Sequence, residues 1–396
     1  LSRIFVTGMG IITAIGDSVA GNRLALKEGR SGINTSMDLF PSKYAGLLPF
    51  GIVHHSTAAL KEKLQITAPG VTRTSLLALH AFEEAVRDSN LSSTGIAATG
   101  TAFIGASTVG GMCLTDELYG DAQEADKGSA YLESYDSASV QLFIQQRYGM
   151  KGFINTINTA CSSSANAIMN GAQLINQGWA KRAIVGGVDS LAKFTVNGFH
   201  SLHILSHDLC TPFDINRKGL NLGEGAAFVV LEKEEDIDGK KVYAELTGYA
   251  NSNDAFHPSS LSEQGDGPFL SMQGALKMAG LQTSDIDFIN AHGTGTENND
   301  EVESRAMLRL FGTAPAFAST KANVGHTLGA AGAVEAVYSI LNIAGQELYP
   351  QLNFTTPIPA TGLVPVKEYG KKTIRHVMSN SFGFGGNCTS LVFSKA

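Results

Sequence analysis

Phe153-Ile154-Asn155-Thr156-Ile157-Asn158-Thr159-Ala160-Cys161-Ser162-Ser163-Ser164-Ala165-Asn166-Ala167 is where a strand-like run rich in β-branched residues turns into a helix of small residues. The helix reads from 162 to 177. Cys161 then sits at a helix N-terminus, where unpaired N–H groups and the macrodipole favour a thiolate and make a nucleophile of it. The competing reading is a buried core cysteine, the commoner fate of a free Cys inside cells.

Two other segments carry a strand-like run into a histidine set among glycines and threonines. Asp287-Phe288-Ile289-Asn290-Ala291 leads into His292-Gly293-Thr294-Gly295-Thr296, and Ala316-Phe317-Ala318-Ser319 leads towards Lys321-Ala322-Asn323-Val324-Gly325-His326. Small residues around both imidazoles let a substrate chain approach the backbone closely. His54, His55, His200, His203 and His207 lie in polar or unpatterned stretches and read as surface or satisfied core residues.

Strand and helix patterns alternate along the chain. Strands are expected at 4–8, 102–106, 183–188 and 225–231, with helices at 76–88, 137–148 and 162–177. The pattern restarts at 241–250, with helices at 270–279, 301–311 and 328–343 and strands at 287–291 and 375–378. Such alternation predicts α/β layers. The Cys161 turn and its helix are echoed by the His326 turn and Gly329-Ala330-Ala331-Gly332-Ala333. Two similar halves follow, 1–240 with the cysteine and 241–396 with both histidines. Their two small-residue helices suit close packing and burial between sheets.

Hydrophobic residues make up 43% and charged residues 16% of 396 positions, which describes a large core rather than disorder. Length allows two or three domains of ~150 residues, but no low-complexity stretch or Pro/Ser-rich hinge marks a linker. A net charge of −7 offers no basic field to nucleic acid or an anionic membrane. The most apolar stretch, 330–344, falls short of the ~20 residues a membrane span needs and contains Glu335. The run 4–15 suits a strand and loop better than a secretion signal, because of Gly8 and Gly10. Cys113, Cys161, Cys210 and Cys388 are far apart, so neither a metal centre nor a disulfide framework is expected, and a reducing cytoplasm is.

Further motifs complete the pattern: Arg3-Ile4-Phe5-Val6-Thr7-Gly8-Met9-Gly10 at the start, Thr211-Pro212-Phe213-Asp214 leading to Gly223-Glu224-Gly225-Ala226, and Asn380-Ser381-Phe382-Gly383-Phe384-Gly385-Gly386 near the end. Together with the cysteine and histidine segments they run in one order, and nearly end to end the sequence resembles the elongating β-ketoacyl-acyl-carrier-protein synthases of the thiolase-like superfamily. The resemblance implies a thiolase-like α/β fold with duplicated halves in a five-layer α-β-α-β-α arrangement. It also implies decarboxylative Claisen condensation of an acyl chain on Cys161 with malonyl-acyl-carrier protein, giving 3-oxoacyl-acyl-carrier protein.

By the same resemblance Cys161, His292, His326, Lys321 and Glu335 form the catalytic set. The N–H groups of Cys161 and Phe384 would be the oxyanion hole, Phe384 a mobile gate, and Thr294 and Thr296 the holders of the pantetheine arm. Asp254, His257 and Phe382 would lie near the site. Asn290, Glu335, Ser379 and Asn380 match a structural monovalent-cation site, with no metal in catalysis. A Lys321–Glu335 pair also follows from burial, since a lone carboxylate in an apolar helix is costly. No cofactor is expected beyond phosphopantetheine on the carrier protein.

The sequence departs from the family pattern at Glu297, where proline is usual, at Lys218-Gly219-Leu220-Asn221, and at Asn387-Cys388 after the final glycines. These departures point towards a specialised synthase, building polyenes or other polyketide-like chains in a heterodimer, as an alternative to fatty-acid elongation in a homodimer. A thiolase or acyl-CoA acyltransferase using Cys161 with Cys388 is a second alternative, and a non-catalytic chain-length factor a third. The expected partners are an acidic acyl carrier protein and acyl and malonyl thioesters, met by a basic patch for which Lys61, Lys63 and Arg73 are candidates. A dimer interface is expected near 178–190.

Overall fold

The computed structural model describes residues 2–114, 118, 120, 129, 131–237 and 239–396. Ten strands build the central architecture: β1 (Ile4–Thr13), β2 (Thr101–Ala106), β3 (Ile154–Ile157), β4 (Arg182–Asp189), β5 (Gly225–Lys233), β6 (Ala244–Asn253), β7 (Phe288–Asn290), β8 (Ala316–Ala318), β9 (His376–Phe382) and β10 (Asn387–Ser394). Six helices make the layers around them: α1 (Arg73–Asp88), α2 (Ser139–Tyr148), α3 (Ser163–Asn176), α4 (Asp266–Ala279), α5 (Glu297–Phe311) and α6 (Ala331–Gly345).

The strands lie in the order β8-β7-β9-β10-β6-β1-β5-β4-β2-β3. Counting outward from the centre, one half reads 1-5-4-2-3 and the other 6-10-9-7-8, so each strand has its counterpart five places on. Pairing directions match as well. β1–β5 and β5–β4 are antiparallel while β4–β2 and β2–β3 are parallel, and β6–β10, β10–β9, β9–β7 and β7–β8 repeat that sequence. The two half-sheets join where Phe5 and Val6 of β1 pair with Glu245 and Ala244 of β6. Helices α3 and α6 pack against each other between the two half-sheets, with α1 and α2 outside one and α4 and α5 outside the other. This is the expected thiolase-like five-layer arrangement.

Close packing of the two inner helices depends on their small residues. A Cβ on Gly332 would lie 2.7 Å from the backbone N of Ala165, and Ala333 N–H donates to Ser164 Oγ at 2.8 Å. The apolar stretch Leu328–Gly345 is long and apolar enough for a span, yet it is this inner helix and is almost wholly buried.

Several boundaries differ from expectation. The first strand runs to Thr13 rather than stopping at Gly8, because its glycines are contact points and not breakers: a Cβ on Gly10 would meet Ala81 O of α1 at 2.0 Å. The last strand, Asn387–Ser394, was hidden behind the glycine run that precedes it. Two of the expected surface features lie inside and a third is tied down by an ion pair. Arg73 is 8% exposed and pairs with Glu224, so it cannot present a basic surface, and Lys63 is held by Asp17 at 2.8 Å. Most of 178–190 is the buried interior strand β4, which leaves Gly178, Trp179 and Lys181 as its exposed part.

Candidate active site

Ala160 takes a left-handed conformation, φ 53°, and this bend swings Cys161 off the end of β3 and onto the start of α3. Such strain in a non-glycine residue persists only where its surroundings hold it. His326 arrives from the other half on a tight turn, in which Gly223 N–H bonds His326 O and His326 N–H bonds Asn221 O. His292 stands just past β7, its N–H and that of Gly293 donating to Glu303 of α5 at 2.9 and 2.8 Å. The sulfur and one nitrogen of each imidazole lie within 4.8 Å of one another, with His326 Nε2 3.0 Å from Cys161 Sγ. All three residues are buried.

Both imidazoles are oriented from behind. Leu328 N–H points at His326 Nδ1 (3.3 Å), and the Lys321 ammonium faces His292 Nδ1 at 3.3 Å while donating to His292 O at 2.5 Å. With each Nδ1 accepting, each neutral ring carries its proton on Nε2 and turns an N–H donor towards the cavity. Burial, and Lys321 second, hold both imidazole pKa values well below the ordinary 6.5. Lys321 pairs with Glu335, as expected; burial raises that carboxyl, with Lys321 pulling against it. Burial pushes the Cys161 thiol up to about 11, against the thiolate expected from sequence. Lys321 and the Phe384 N–H pull it back only in part.

A cavity of about 410 Å³ opens from these groups to the surface past Thr294, Thr296, Phe382 and Phe384. The two threonine hydroxyls are 2.8 Å apart, Phe382 tilts against His292, and Phe384 stacks on Phe199 with centroids 5.8 Å apart. Asp254 does not reach the cavity. It accepts bonds from Ser262 and Gly267, and its N–H holds Gly386 O at 2.8 Å, so it braces the Phe384 loop. His257 is exposed and bonds Ser259. Cys388 is buried behind Phe382 and Leu261, which line the cavity, and is not itself part of the lining.

Asn290 Oδ1, Glu335 Oε2 and Ser379 Oγ are buried without a hydrogen-bond partner, and Ser379 is the register partner of Asn290 across β9 and β7. Orphaned oxygens grouped in this way suit a hard monovalent cation. The Asn380 side chain lies on the other face of β9, bonded to Glu303 and Ser390, and so is not one of these oxygens.

Sequence reading missed Glu303, which anchors His292. Its only trace was a second carboxylate three residues after Asp300 on the buried side of α5. It also missed the cavity residues Phe199, Leu202, His203 and Ile204, which carry no motif. Lys218 and Glu297, two of the departures from the family pattern, both line the cavity.

A buried cysteine and two imidazoles, gathered from two halves of a thiolase-like fold, define a condensing enzyme of the Cys-His-His class. Known proteins agree. Residues 1–237 match the family model for the beta-ketoacyl synthase N-terminal domain and residues 243–355 that for the C-terminal domain, and the chain belongs to the beta-ketoacyl synthase family. It is 34% identical over 430 residues to 3-oxoacyl-[acyl-carrier-protein] synthase 2 of Rhizobium meliloti, covering 100% of this chain and 99% of that one. It is 33% identical to the mitochondrial 3-oxoacyl-[acyl-carrier-protein] synthase of Arabidopsis thaliana, covering 99% and 93%. Among solved structures, the ishigamide ketosynthase/chain length factor superposes with TM-score 0.92 at 27% identity, covering 100% and 99%. The ketosynthase ApeO in complex with its chain length factor from Xenorhabdus doucetiae gives 0.87 at 31%, covering 100% and 98%.

Proposed function

We propose that this chain elongates acyl groups by decarboxylative condensation, with Cys161 as the acyl carrier and His292 and His326 as the paired donors that stabilise the malonyl enolate. The observation that carries the assignment is the convergence of two Nε2–H groups beside Cys161 Sγ. In the first half-reaction the sulfur attacks an acyl thioester, and the pantetheine sulfur leaves with the proton that Cys161 gives up. His326 already holds a proton on Nε2, so it hydrogen-bonds the developing thiolate and does not act as its base. In the second, the malonyl C–CO₂ bond breaks, its electron pair moves onto the thioester oxygen between the two imidazoles, and the enolate carbon then attacks the Cys161 thioester. The N–H groups of Cys161 and Phe384 take the oxyanion, and collapse releases the 3-oxoacyl product and expels the Cys161 thiolate, which takes a proton from water to restore the thiol.

The phosphopantetheine arm would run along Thr294 and Thr296, delivered by an acyl carrier protein. Intact mass after mixing with acyl-carrier proteins of several chain lengths should show one acyl adduct, absent in Cys161→Ala and discharged by malonyl-carrier protein. An adduct that persists in Cys161→Ala contradicts the assignment. Use of Cys388 as a thiolase-type base is disfavoured by its burial outside the cavity and by a thiol that burial holds far above its ordinary range. A dimer is supported by the outer edge of β3, which pairs with β2 alone among the described strands and is preceded by exposed Phe153. The chain length factors in two of the solved complexes favour a heterodimer as the second reading. A reducing cytoplasm accords with four free cysteines.

Asn290, Glu335 and Ser379 would hold the monovalent cation, whose charge would offset that of Glu335 and steady the Lys321 pair. Replacing a large organic cation by K⁺ or Na⁺ should raise the melting temperature by about 2 °C. The rise should vanish in Ser379→Ala; an equal rise in that variant contradicts the site.

A further inference from the structure

Asn387 is one of the departures from the family pattern that the reaction above does not use, and the fold places it behind the nucleophile. Its Oδ1 accepts from Ser162 Oγ at 2.7 Å, Asn166 Nδ2 at 2.9 Å and Asn251 Nδ2 at 2.8 Å. Ser162 and Asn166 belong to the first turns of α3, directly after Cys161, whereas Asn251 lies on β6 of the other half. The backbone oxygen of Asn387 accepts the N–H of Gly383, at the root of the Phe384 loop, at 2.8 Å. That root presses on the nucleophile turn: a Cβ on Gly383 would be 2.6 Å from Thr159 O and 3.2 Å from Cys161 N. The far side of the loop is tied separately, through Gly385 N–H to Pro258 O and Asn253 Nδ2 to Gly385 O.

We propose that Asn387 is the positioning residue that keeps the N–H groups of Cys161 and Phe384 in register, by bonding the start of α3 with its side chain and the root of the Phe384 loop with its main chain. The proposal rests on reading those two N–H groups as the oxyanion hole. One residue thereby joins the strained Ala160 turn to the loop that must move for substrate to enter. Its side-chain oxygen is the acceptor on which donors from both halves converge, and an apolar replacement leaves the Ser162 and Asn166 donors bonded to Thr159 alone and the Asn251 donor to Asn166 and Thr389, with no bond joining the start of α3 to residue 387. The imidazoles, held by Lys321, Leu328 and Glu303, share none of these bonds.

Asn387→Ala should therefore slow acylation of Cys161, followed by intact mass, about tenfold. Decarboxylation of malonyl-carrier protein, measured in a Cys161→Ala background, should stay within twofold. Asn387→Asp keeps the acceptor and should recover most of the acylation rate, with its pH profile moved upward because the added charge opposes the thiolate. Ser162→Ala, which removes one donor, should slow acylation about threefold and serves if Asn387→Ala does not fold. Acylation at the wild-type rate in the variant that folds overturns the proposal, as does a parallel fall in decarboxylation, which would mark a general structural role. A wild-type chain that takes no acyl group from any thioester overturns the condensing reading itself, and the proposal with it.

Discussion

Alanine at His292 or at His326 is expected to lower condensation by about 10²- to 10³-fold, the loss typical of removing one donor from a preorganised oxyanion site. The loss should fall chiefly on CO₂ release, with loading of Cys161 unchanged at His292 and slowed to a lesser extent at His326, whose Nε2 lies 3.0 Å from the sulfur and hydrogen-bonds the developing thiolate. The Nε2–H groups face the cavity where the malonyl thioester oxygen must gain charge, whereas the acyl oxyanion is taken by backbone N–H groups. CO₂ release and the acyl adduct, measured separately for each variant, check this; equal loss in both half-reactions would contradict it. Neutral imidazoles also set the pH behaviour. Burial and Lys321 keep both pKa values well below 6.5, so the donors stay uncharged and decarboxylation should be flat from about pH 6 to 8. Stability follows the same sign. Below 6.5 the unfolded chain protonates these rings while the native chain refuses the protons, so the fold weakens as pH falls from 6.5 towards the lower native values.

Glu224→Ala is expected to destabilise the fold by about 3–5 kcal/mol, the cost of breaking a buried ion pair from one side. Glu224 is fully buried. It accepts two bonds from Arg73 Nε, at 3.1 and 3.0 Å, one from Arg73 Nη2 at 2.5 Å, and the N–H groups of Val53 and Leu191 at 3.1 and 3.3 Å. Alanine strands a buried guanidinium and two backbone donors together. An Arg73→Met, Glu224→Leu pair should recover much of the loss, since no charge is then left unpaired. Denaturant midpoints for the single and double variants check both statements; a single variant within 1 kcal/mol of wild type would show that water or a rearranged Arg73 replaces the pair.

Elements with strong local signals were legible in the sequence. The strand and helix around Cys161, the small-residue helix after His326 and the strand-to-glycine turns before both histidines announce themselves through residue type and spacing within about fifteen positions. Gly8 and Gly10 misled because a glycine that admits a neighbouring helix looks, in sequence, like one that ends a strand. Arg73 misled for a related reason: a cation reads as surface until its partner, 151 residues away, is known.

By itself, then, the sequence determined the layered α/β class and pointed to the duplication, and through the ordered motifs of its family resemblance it singled out Cys161, His292 and His326, since these signals lie in local periodicity and in short motifs. Tertiary structure alone decided three other matters. It set the direction of each titration, because burial raises the Cys161 thiol and lowers both imidazoles. It set which imidazole nitrogen donates, through Leu328 and Lys321. It also brought Asn387 behind Cys161 across 226 positions of chain, an adjacency that no local pattern encodes because it exists only once the two halves have packed.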